Sequence, residues 1–445
     1  MVTAFVSQMP KGGDLHHHYS GAIYAESYVE WITDAGYYVD PNTWIVVPNK
    51  PDTGNVAVWV SLPGLRTSDW YGYLDVREHL MEKWSVKDYG PMMQPHELHF
   101  FQTFLMFGPA SAIDHRLGLL ELKERAKKEN VSYIETMYRT IPFNVTDPLK
   151  TEHNAALEAA QAKSDAPAAQ RTLEAVYKWV MDTQHPVDTA LAFNRALNKL
   201  HHDNGIDDAD FTMRYQNYVV RIDPPLKVFT SMIVAFESAA RDTLIEGVNI
   251  VAPEDNAISM HDYWLHMQMY AFCHAKYPKV KYAMHAGELV EGYVAPEELM
   301  WHVTDAVDVA RASRIGHGVD IPYERDNKGL MKRMRDGNVA VEINLTSNEF
   351  ILGVKDGKHP ILLYDANKVP LVISTDDAGV LRSSLTEQFV ILAMRYPQLK
   401  YSDMKRFIFN SITYSFMENG RKAFVMKDLE KRFVTFEADQ LRATN

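Results

Sequence analysis

Four short segments of this chain carry side chains that could bind a metal ion and transfer protons. In chain order the segments are Leu15-His16-His17-His18, His285-Ala286-Gly287-Glu288, Gly316-His317-Gly318 and Ser374-Thr375-Asp376-Asp377. Imidazole and carboxylate groups bind divalent metals such as zinc, and a metal-activated water attacks electrophilic carbon. Together the four segments predict a hydrolytic metalloenzyme.

The first histidine segment predicts two ligands for one ion. His16 and His18 are two residues apart on a β-leaning run, so their side chains share one face of a strand while His17 points away. His285 and Asp376 each follow an apolar run, where a buried carboxylate needs a cation. Three imidazoles and a carboxylate favour one zinc ion with room for a bound water. Taken singly, these residues also fit a solvated histidine run, a core histidine or a helix N-cap.

Composition and charge exclude several classes of partner. The chain has 445 residues, 46% of them apolar, and no uninterrupted apolar stretch approaches the ~18 residues of a membrane span. The net charge is −12 with scattered basic residues, which argues against nucleic acid or a membrane surface and leaves small neutral or cationic ligands. Cys273 is the single cysteine, so an intrachain disulfide and a cysteine-type zinc site are excluded.

The start of the chain predicts a cytoplasmic protein. Residues Met1–Gln8 lack the basic region and the long apolar run of a signal peptide. Because the first motif already begins at Leu15, a periplasmic or secreted protein would require a leader that has been removed. The sequence leaves the oligomeric state open, and a homodimer is among the alternatives.

Short, apolar, β-leaning runs alternate with longer amphipathic stretches along the chain. The alternation predicts an α/β fold, a parallel sheet closed into a (β/α)8 barrel of the TIM type, in a single domain spanning residues 1–445. The residues suspected of chemistry fall at the ends of predicted strands, where barrel enzymes carry their active sites. The predicted strands are Gly13–His18, Val131–Tyr138, Thr212–Arg221, Gly247–Val251, Lys281–Gly287, Arg314–Asp320, Val339–Leu345 and Pro370–Asp377. The predicted helical stretches include Leu117–Glu129, Thr172–Asn204, Ile258–Lys276, Pro296–Ala312 and Glu387–Arg395.

Two segments interrupt this alternation. Residues 36–94 are rich in Trp, Tyr, Pro and Gly and predict an insertion after the first strand, formed by a hairpin and an irregular lid. Its aromatic side chains favour a small satellite core under the loop. Stacking on a ligand, closing the barrel mouth and forming a dimer surface are the alternatives. The polar, alanine-rich stretch Val145–Gln170 predicts a helical excursion.

The motifs resemble the adenosine deaminase family. The resemblance spans residues 9–440 in motif order and is carried by Met9-Pro10-Lys11-Gly12-Gly13-Asp14-Leu15-His16-His17-His18, His285-Ala286-Gly287-Glu288, Arg314-Ile315-Gly316-His317-Gly318 and Ser374-Thr375-Asp376-Asp377. The Pro-Lys-Gly-Gly opening and the long insertion are most similar to the adenosine deaminase-related growth factor branch. The resemblance implies a (β/α)8 barrel that releases ammonia from the six-position of adenosine or deoxyadenosine.

The resemblance also implies a role for each motif residue. It implies that the zinc ligands are His16, His18, His285 and Asp376. It implies that Glu288 is the acid that protonates a purine ring nitrogen. It further implies that His317 is the base and electrostatic partner of the bound water and that Asp377 orients this water. It implies substrate contacts at His18, Ser20, Ala252 and Asp377. The chemistry agrees, because a carbon that bears an amine becomes electrophilic when its neighbouring ring nitrogen is protonated. Taken singly, Glu288 also fits a surface turn and His317 a tight turn between glycines.

Several positions depart from the family pattern, and three of them bear on the substrate or on the residues around it. Ser20 stands where nucleoside deaminases usually carry an acid that contacts the ribose, so a hydroxyl remains but the charge is lost. Ala252 stands where a glycine N–H meets the purine, and Asn249 stands where aspartate is usual. The first departure puts ribose recognition in question.

The sequence therefore predicts zinc-dependent deamination of adenosine or deoxyadenosine, the hydrolysis of a C–N bond in a cyclic amidine. One alternative, motivated by Ser20, is a deaminase of adenine or another aminopurine. Another alternative is a barrel hydrolase that cleaves amides or esters. The sequence argues against it, because it lacks a lysine at the position that bridges two metal ions in such enzymes. A third is a nucleoside-binding or growth-factor-like protein without catalysis, although every candidate ligand and acid/base position is filled.

Overall fold

The computed structural model describes residues 2–52, 58–90 and 92–444, which form eleven strands and nineteen α-helices. The strands are β1 (Gly12–His18), β2 (Tyr38–Val39), β3 (Val46–Val47), β4 (Val60–Ser61), β5 (Val131–Arg139), β6 (Thr212–Val220), β7 (Ile245–Val251), β8 (Lys281–Ala286), β9 (Arg314–His317), β10 (Ala340–Ile343) and β11 (Leu371–Ile373). The helices are α1 (Val2–Gln8), α2 (Tyr19–Ala22), α3 (Ala25–Asp34), α4 (Leu62–Ser68), α5 (Trp70–Trp84), α6 (His96–Ser111), α7 (His115–Lys128), α8 (Lys150–Gln161), α9 (Ala166–Thr183), α10 (Pro186–Asp203), α11 (Pro225–Ala239), α12 (Ala257–Lys276), α13 (His302–Asp308), α14 (Asn327–Asp336), α15 (Leu345–Leu352), α16 (Ile361–Ala366), α17 (Leu385–Arg395), α18 (Tyr401–Thr413) and α19 (Asn419–Thr444).

Eight parallel strands form the barrel that the sequence predicts. Their order is β1, β5, β6, β7, β8, β9, β10 and β11, so neighbours in the sheet are also successive along the chain. The ring closes between β1 and the loop after β11. There the Asp376 amide donates to the His16 carbonyl at 2.8 Å, and the His18 amide donates to the Asp376 carbonyl at 3.2 Å. The predicted barrel is confirmed.

The last three barrel strands are shorter than predicted. They end at residues 317, 343 and 373, whereas the predicted strands continue to residues 320, 345 and 377. His317 and Asp376 adopt φ angles of 67° and 64°, in the left-handed region that an extended strand does not use. The chain therefore leaves the extended conformation at these two positions, before the predicted strands end.

The predicted helical stretches are present, with two differences. The stretch Thr172–Asn204 forms two helices, α9 and α10, because His185 adopts a φ of 51° and Pro186 begins the second helix. The stretch Pro296–Ala312 is α-helical only in α13. Val145–Gln170 contains α8 and the start of α9, as predicted. Within the described residues, no helix has the length and apolar character that a membrane crossing requires.

The insertion after β1 contains more helix than predicted. β2 pairs antiparallel with β3, as the predicted hairpin requires, and β4 pairs with the other edge of β2. The predicted irregular lid is wrong, because α4 and α5 occupy most of residues 62–84; residues 53–57 and 91 lie outside the described part. Tyr73, Val76, Leu80 and Trp84 recur at helical spacing on α5 and are buried, which gives the insertion a core. That the whole chain is one domain stays a prediction.

A series of charged side chains connects the barrel interior to His16. Arg314 on β9 donates to Glu342 on β10 and to Glu135 on β5, each at 2.5 Å. Glu342 in turn lies 2.6 Å from Nδ1 of His16. Although burial opposes its ionisation, the charges of Arg314 and His16 hold the pKa of Glu342 below its usual range. All four side chains are buried, so each charge depends on its neighbour for compensation.

Replacing Arg314 with methionine should therefore destabilise the fold strongly. The change leaves Glu135 and Glu342 as buried carboxylates without their cation, a loss of about 3–5 kcal/mol in the free energy of unfolding. The control is Arg335→Met, which removes an exposed ion pair to Asp336 and should leave the unfolding midpoint nearly unchanged. Urea unfolding followed by tryptophan fluorescence measures both variants, and equal midpoints would contradict this role of Arg314.

Candidate active site

The four chemistry-bearing segments meet at one end of the barrel. They lie at the C-terminal ends of β1, β8, β9 and β11, the face on which parallel barrels place their functional loops. One group, His16, His285, His317 and Asp376, has ligand atoms that all lie within 4.8 Å of one another, and a second group joins His18 and Asp377 to Asp376. The structure thus brings together all the residues predicted as ligands.

The candidate ligand atoms are spaced like donors around a common ion. Nε2 of His285 lies 3.0 Å from Nε2 of His16 and 3.2 Å from Nε2 of His18. Oδ1 of Asp376 lies 3.4 Å and 3.2 Å from the same two histidine nitrogens. Donors about 2.0–2.2 Å from a tetrahedral zinc ion are about 3.3 Å apart. Three imidazoles and one carboxylate in this arrangement fit a zinc ion.

Buried partners hold the outer nitrogens of two candidate ligands. Nδ1 of His16 lies 2.6 Å from Glu342, and Nδ1 of His285 lies 3.0 Å from Oδ1 of Asn249. Such partners fix the ring and leave Nε2 free to bind the metal. Burial and the neighbouring histidines lower the pKa of His285 well below its usual range, so this ring is neutral, the form that binds metals. Asn249, a departure from the family pattern, still supplies the acceptor oxygen.

Three site residues adopt left-handed backbone conformations. Their φ angles are 67° at His317, 64° at Asp376 and 89° at Ala252. Each such conformation costs on the order of 1–3 kcal/mol in a residue that has a Cβ atom. Glycine adopts this φ without steric cost, which fits the glycine that the resemblance implies at the position of Ala252.

A buried carboxylate positions the loop that carries Glu288. Glu254 accepts hydrogen bonds from the amides of Gly287 at 3.1 Å and Glu288 at 2.9 Å. The Glu288 side chain is 7% exposed, and burial together with the charge of Asp376 raises its pKa well above the usual range. The shift favours the protonated, neutral form of the carboxyl group, which can donate a proton.

Asp377 presents a carboxylate oxygen without a protein partner. Its Oδ1 atom is buried and makes no hydrogen bond within the described part of the chain. Gly21 makes room for this oxygen, because a Cβ atom at position 21 would lie 1.6 Å from it. Burial and the charge of Asp376 raise the pKa of Asp377 well above its usual range. A buried polar atom of this kind needs a ligand or a water molecule as its partner.

A relay of hydrogen bonds determines which nitrogen of His317 carries the proton. The backbone amide of Ile361 donates to Nδ1 of His359 at 3.2 Å, so the proton of that neutral ring lies on Nε2. Nε2 of His359 then donates to Oδ1 of Asn348 at 3.0 Å. Nδ2 of Asn348 donates to Nδ1 of His317 at 2.9 Å. The proton of neutral His317 therefore lies on Nε2, which is 3.8 Å from Oδ2 of Asp376.

This tautomer decides what His317 can do. Burial lowers the pKa of His317 to about 3, so the ring is neutral at physiological pH. A protonated Nε2 can donate a hydrogen bond into the site but cannot accept a proton there. The geometry favours the electrostatic part of the predicted role over the general-base part.

A cavity of about 530 Å³ opens above the candidate ligands. Its volume falls within the range of roughly 300–1,000 Å³ that is typical of small-molecule sites. Every residue predicted to contact substrate lines it, namely His18, Ser20, Ala252 and Asp377. Further walls come from α6, which contributes Leu98, Phe101 and Leu105.

The sequence assigned no role to the residues that support the site from behind. Glu254, Glu342, Asn348 and His359 are common polar residues, and each is separated from its partner by many positions in the chain. Because these residues share no fixed spacing with their partners, the sequence contains no motif that would identify them. The apolar wall formed by α6 could have been predicted in part, because Leu98, Phe101 and Leu105 recur every three or four residues and so share one face of a helix.

Comparison with known proteins places this site in context. A family profile described as adenosine deaminase matches residues 157–432. An adenosine deaminase from Clostridium perfringens is 31% identical over 140 residues, which are 31% of this chain and 39% of that protein. Adenosine deaminase 2 from Homo sapiens is 27% identical over 201 residues, which are 44% of this chain and 37% of that protein. Each alignment thus spans well under half of the relative's length.

Solved structures share the fold. A zinc-bound amidohydrolase from Burkholderia ambifaria superposes with a TM-score of 0.56 over 98% of this chain and 94% of that one. The two sequences are 17% identical, so the likeness concerns the barrel itself.

Replacing Asp376 with asparagine should remove most of the bound divalent metal. Asparagine tolerates the φ of 64° at this position but is a much weaker ligand than a carboxylate. The control is Asp14→Asn, a buried carboxylate on β1 that accepts hydrogen bonds from Thr375 instead of facing the donor group. Metal content after loading with zinc and gel filtration measures both; full occupancy in Asp376→Asn would remove Asp376 from the donor set.

Replacing His359 with leucine should change the tautomer of His317. Without its donor, the Asn348 amide can turn and offer its oxygen to His317, so a form protonated on Nδ1 appears. The control is His359→Gln, whose amide retains a donor for Asn348. Nitrogen-15 imidazole spectra of histidine-labelled protein report the tautomer; identical His317 signals in all three proteins would show that the relay has no influence.

Proposed function

The chain belongs to the adenosine deaminase family, and from this premise we propose that it hydrolyses adenosine or deoxyadenosine to the inosine product and ammonia, with one zinc ion. The carrying observation is a four-donor set beside Glu288, a carboxyl group kept neutral in a cavity. Hydrolysis of an aromatic C–N bond needs an activated water and a proton donor in one place. The aligned relatives are named adenosine deaminases, and the alignments cover less than half of their length; their activity supports this proposal.

One zinc ion is proposed at the donor set of His16, His18, His285 and Asp376. When bound, it would lower the pKa of a water molecule at the site to about 7 and so provide a nucleophile at neutral pH. Glu342 and Asn249 fix the rings of His16 and His285, so two of the four donors are oriented before the ion binds. The donors are of the type zinc prefers, since they combine nitrogen and carboxylate oxygen.

The protein residues supply proton transfer and orientation. Glu288 donates its proton to the ring nitrogen next to the carbon that bears the amine, which makes this carbon electrophilic. Asp377 accepts a hydrogen bond from the attacking water through its free oxygen and orients it. His317 donates a hydrogen bond from Nε2 to the oxygen as negative charge develops there. Water adds to the carbon; one of its protons restores Glu288 and the other passes to the amine, so that the C–N bond breaks and ammonia leaves.

Adenine or another aminopurine is the second candidate substrate. Ser20 lines the cavity at the position where nucleoside deaminases usually carry an acid for the ribose. The serine hydroxyl can still accept or donate one hydrogen bond, but without charge. A substrate comparison decides between nucleoside and base.

Glu288→Gln should retain zinc and lose at least about two orders of magnitude in kcat, because one proton-transfer group typically contributes roughly 10²–10⁴-fold. Glu291→Gln, an exposed glutamate three residues further along, is the matched control and should keep the parent rate. The measurement is ammonia release by the zinc-loaded proteins with adenosine, deoxyadenosine and adenine. A Glu288→Gln variant as active as the control would exclude Glu288 as the acid, and turnover of adenine alone would favour the second candidate.

A further inference from the structure

The wall of the cavity at its solvent end is apolar. The candidate ligands lie at the closed end, where His285, Glu288 and Asp376 are buried. The open end is marked by Leu98 and Leu105 of α6, whose side chains are 48% and 80% exposed. Phe101, Ile222 and Ile351 also line the cavity. A cavity with donors at its floor and apolar side chains at its mouth recognises the two ends of a ligand by different chemistry.

Polar groups outside the catalytic end are few and uncharged. They are Ser20, Gln102 and Tyr218, which can form hydrogen bonds to hydroxyl groups. The lining residues, all within the described part of the chain, include no lysine and no arginine. Arg139 acts electrostatically on Tyr218 but does not line the cavity. A phosphate group at the mouth would therefore lose hydration without gaining a cation that lines the site.

The proposed chemistry fixes the direction in which a purine enters. The carbon that bears the amine must face the donor set, and its neighbouring ring nitrogen must face Glu288. The nitrogen that carries the sugar is on the opposite side of the purine, so the sugar points to the mouth. The 5′ carbon extends from the sugar ring, so we expect the 5′ end to be the part that reaches the α6 side chains.

We propose that the substrates are adenine nucleosides with an uncharged, apolar 5′ end, such as 5′-deoxy or 5′-alkylthio nucleosides, and that nucleotides are excluded. The inference rests on the proposed function and refines it. A 5′-methyl or thioether group gains contact with Leu98 and Phe101, whereas a 5′-hydroxyl must give up hydration against the same surface. Ser20, Gln102 and Tyr218 remain for the other sugar hydroxyls.

The first test compares kcat/KM of the zinc-loaded full chain for 5′-deoxyadenosine, adenosine, AMP and adenine. We expect 5′-deoxyadenosine to exceed adenosine by about tenfold, the scale of one apolar group in a hydrophobic pocket. AMP should fall at least about a hundredfold below adenosine, since its charge has no partner at the mouth.

A second test changes the wall itself. Leu98→Lys places a cation at the mouth and should reduce the ratio of kcat/KM for 5′-deoxyadenosine over AMP by at least about tenfold. The matched control is Met394→Lys on α17, an exposed apolar residue that does not line the cavity, and it should leave this ratio unchanged. An equal ratio in both variants would overturn the role of the α6 wall.

The outcomes separate this inference from the function on which it rests. Turnover of adenosine at least as fast as 5′-deoxyadenosine overturns the inference and leaves the deaminase proposal intact. Efficient turnover of AMP does the same and points to Arg139 as a phosphate partner. Turnover of adenine alone, or of none of the four compounds, overturns the nucleoside proposal and this inference together.

Discussion

The hydrogen bonds that close the barrel also set the spacing of the candidate ligands. Asp376 exchanges backbone hydrogen bonds with His16 and His18, so the seam between the last loop and the first strand contains three of the four donors. If the seam opened, the imidazoles and the carboxylate would separate. Conversely, an ion bound to all of them would join the first and last parts of the sheet, which stabilises the folded state through binding. The backbone hydrogen bonds that close the barrel therefore also fix the distances between the candidate metal ligands.

The charge balance of the interior follows from this constraint. Ionisable groups collected at one end of a barrel must each find a partner or become neutral. Arg314 is occupied by Glu135 and Glu342, and Arg221 lies 3.7 Å from Glu254. Within the described residues no lysine or arginine forms an ion pair with Glu288, and burial together with the charge of Asp376 raises its pKa against the opposing charges of Arg221 and His16. The raised pKa of Glu288 thus follows in part from the pairing of Arg314 and Arg221 with other carboxylates.

The sequence predicts those parts of the molecule whose signal is local. His16 and His18 share a strand face by their spacing, and the alternation of strands and helices predicts the barrel, because both depend on short-range periodicity. The functions of Asn249, Glu342 and Asn348 depend on partners from other strands and loops, and their residue types are common. The ends of the last strands were also predicted too far along the chain, because the backbone leaves the extended conformation at His317 and Asp376, whose φ angles are positive. In the insertion, α5 follows helical spacing, but the surrounding Trp, Tyr, Pro and Gly residues conceal it.

The relay behind His317 begins at a main-chain amide, and this gives it a fixed direction. A backbone N–H can only donate, so His359, Asn348 and His317 must each accept on one side and donate on the other. Burial lowers the pKa of His359 to about 3, so a moderate fall in pH does not protonate this ring. The backbone amide of Ile361 thus determines that His317 donates, and does not accept, the hydrogen bond to the reacting oxygen. Substituting the side chain of Ile361 leaves this amide in place. Proline is the exception, since it would remove the amide hydrogen from which the whole orientation originates.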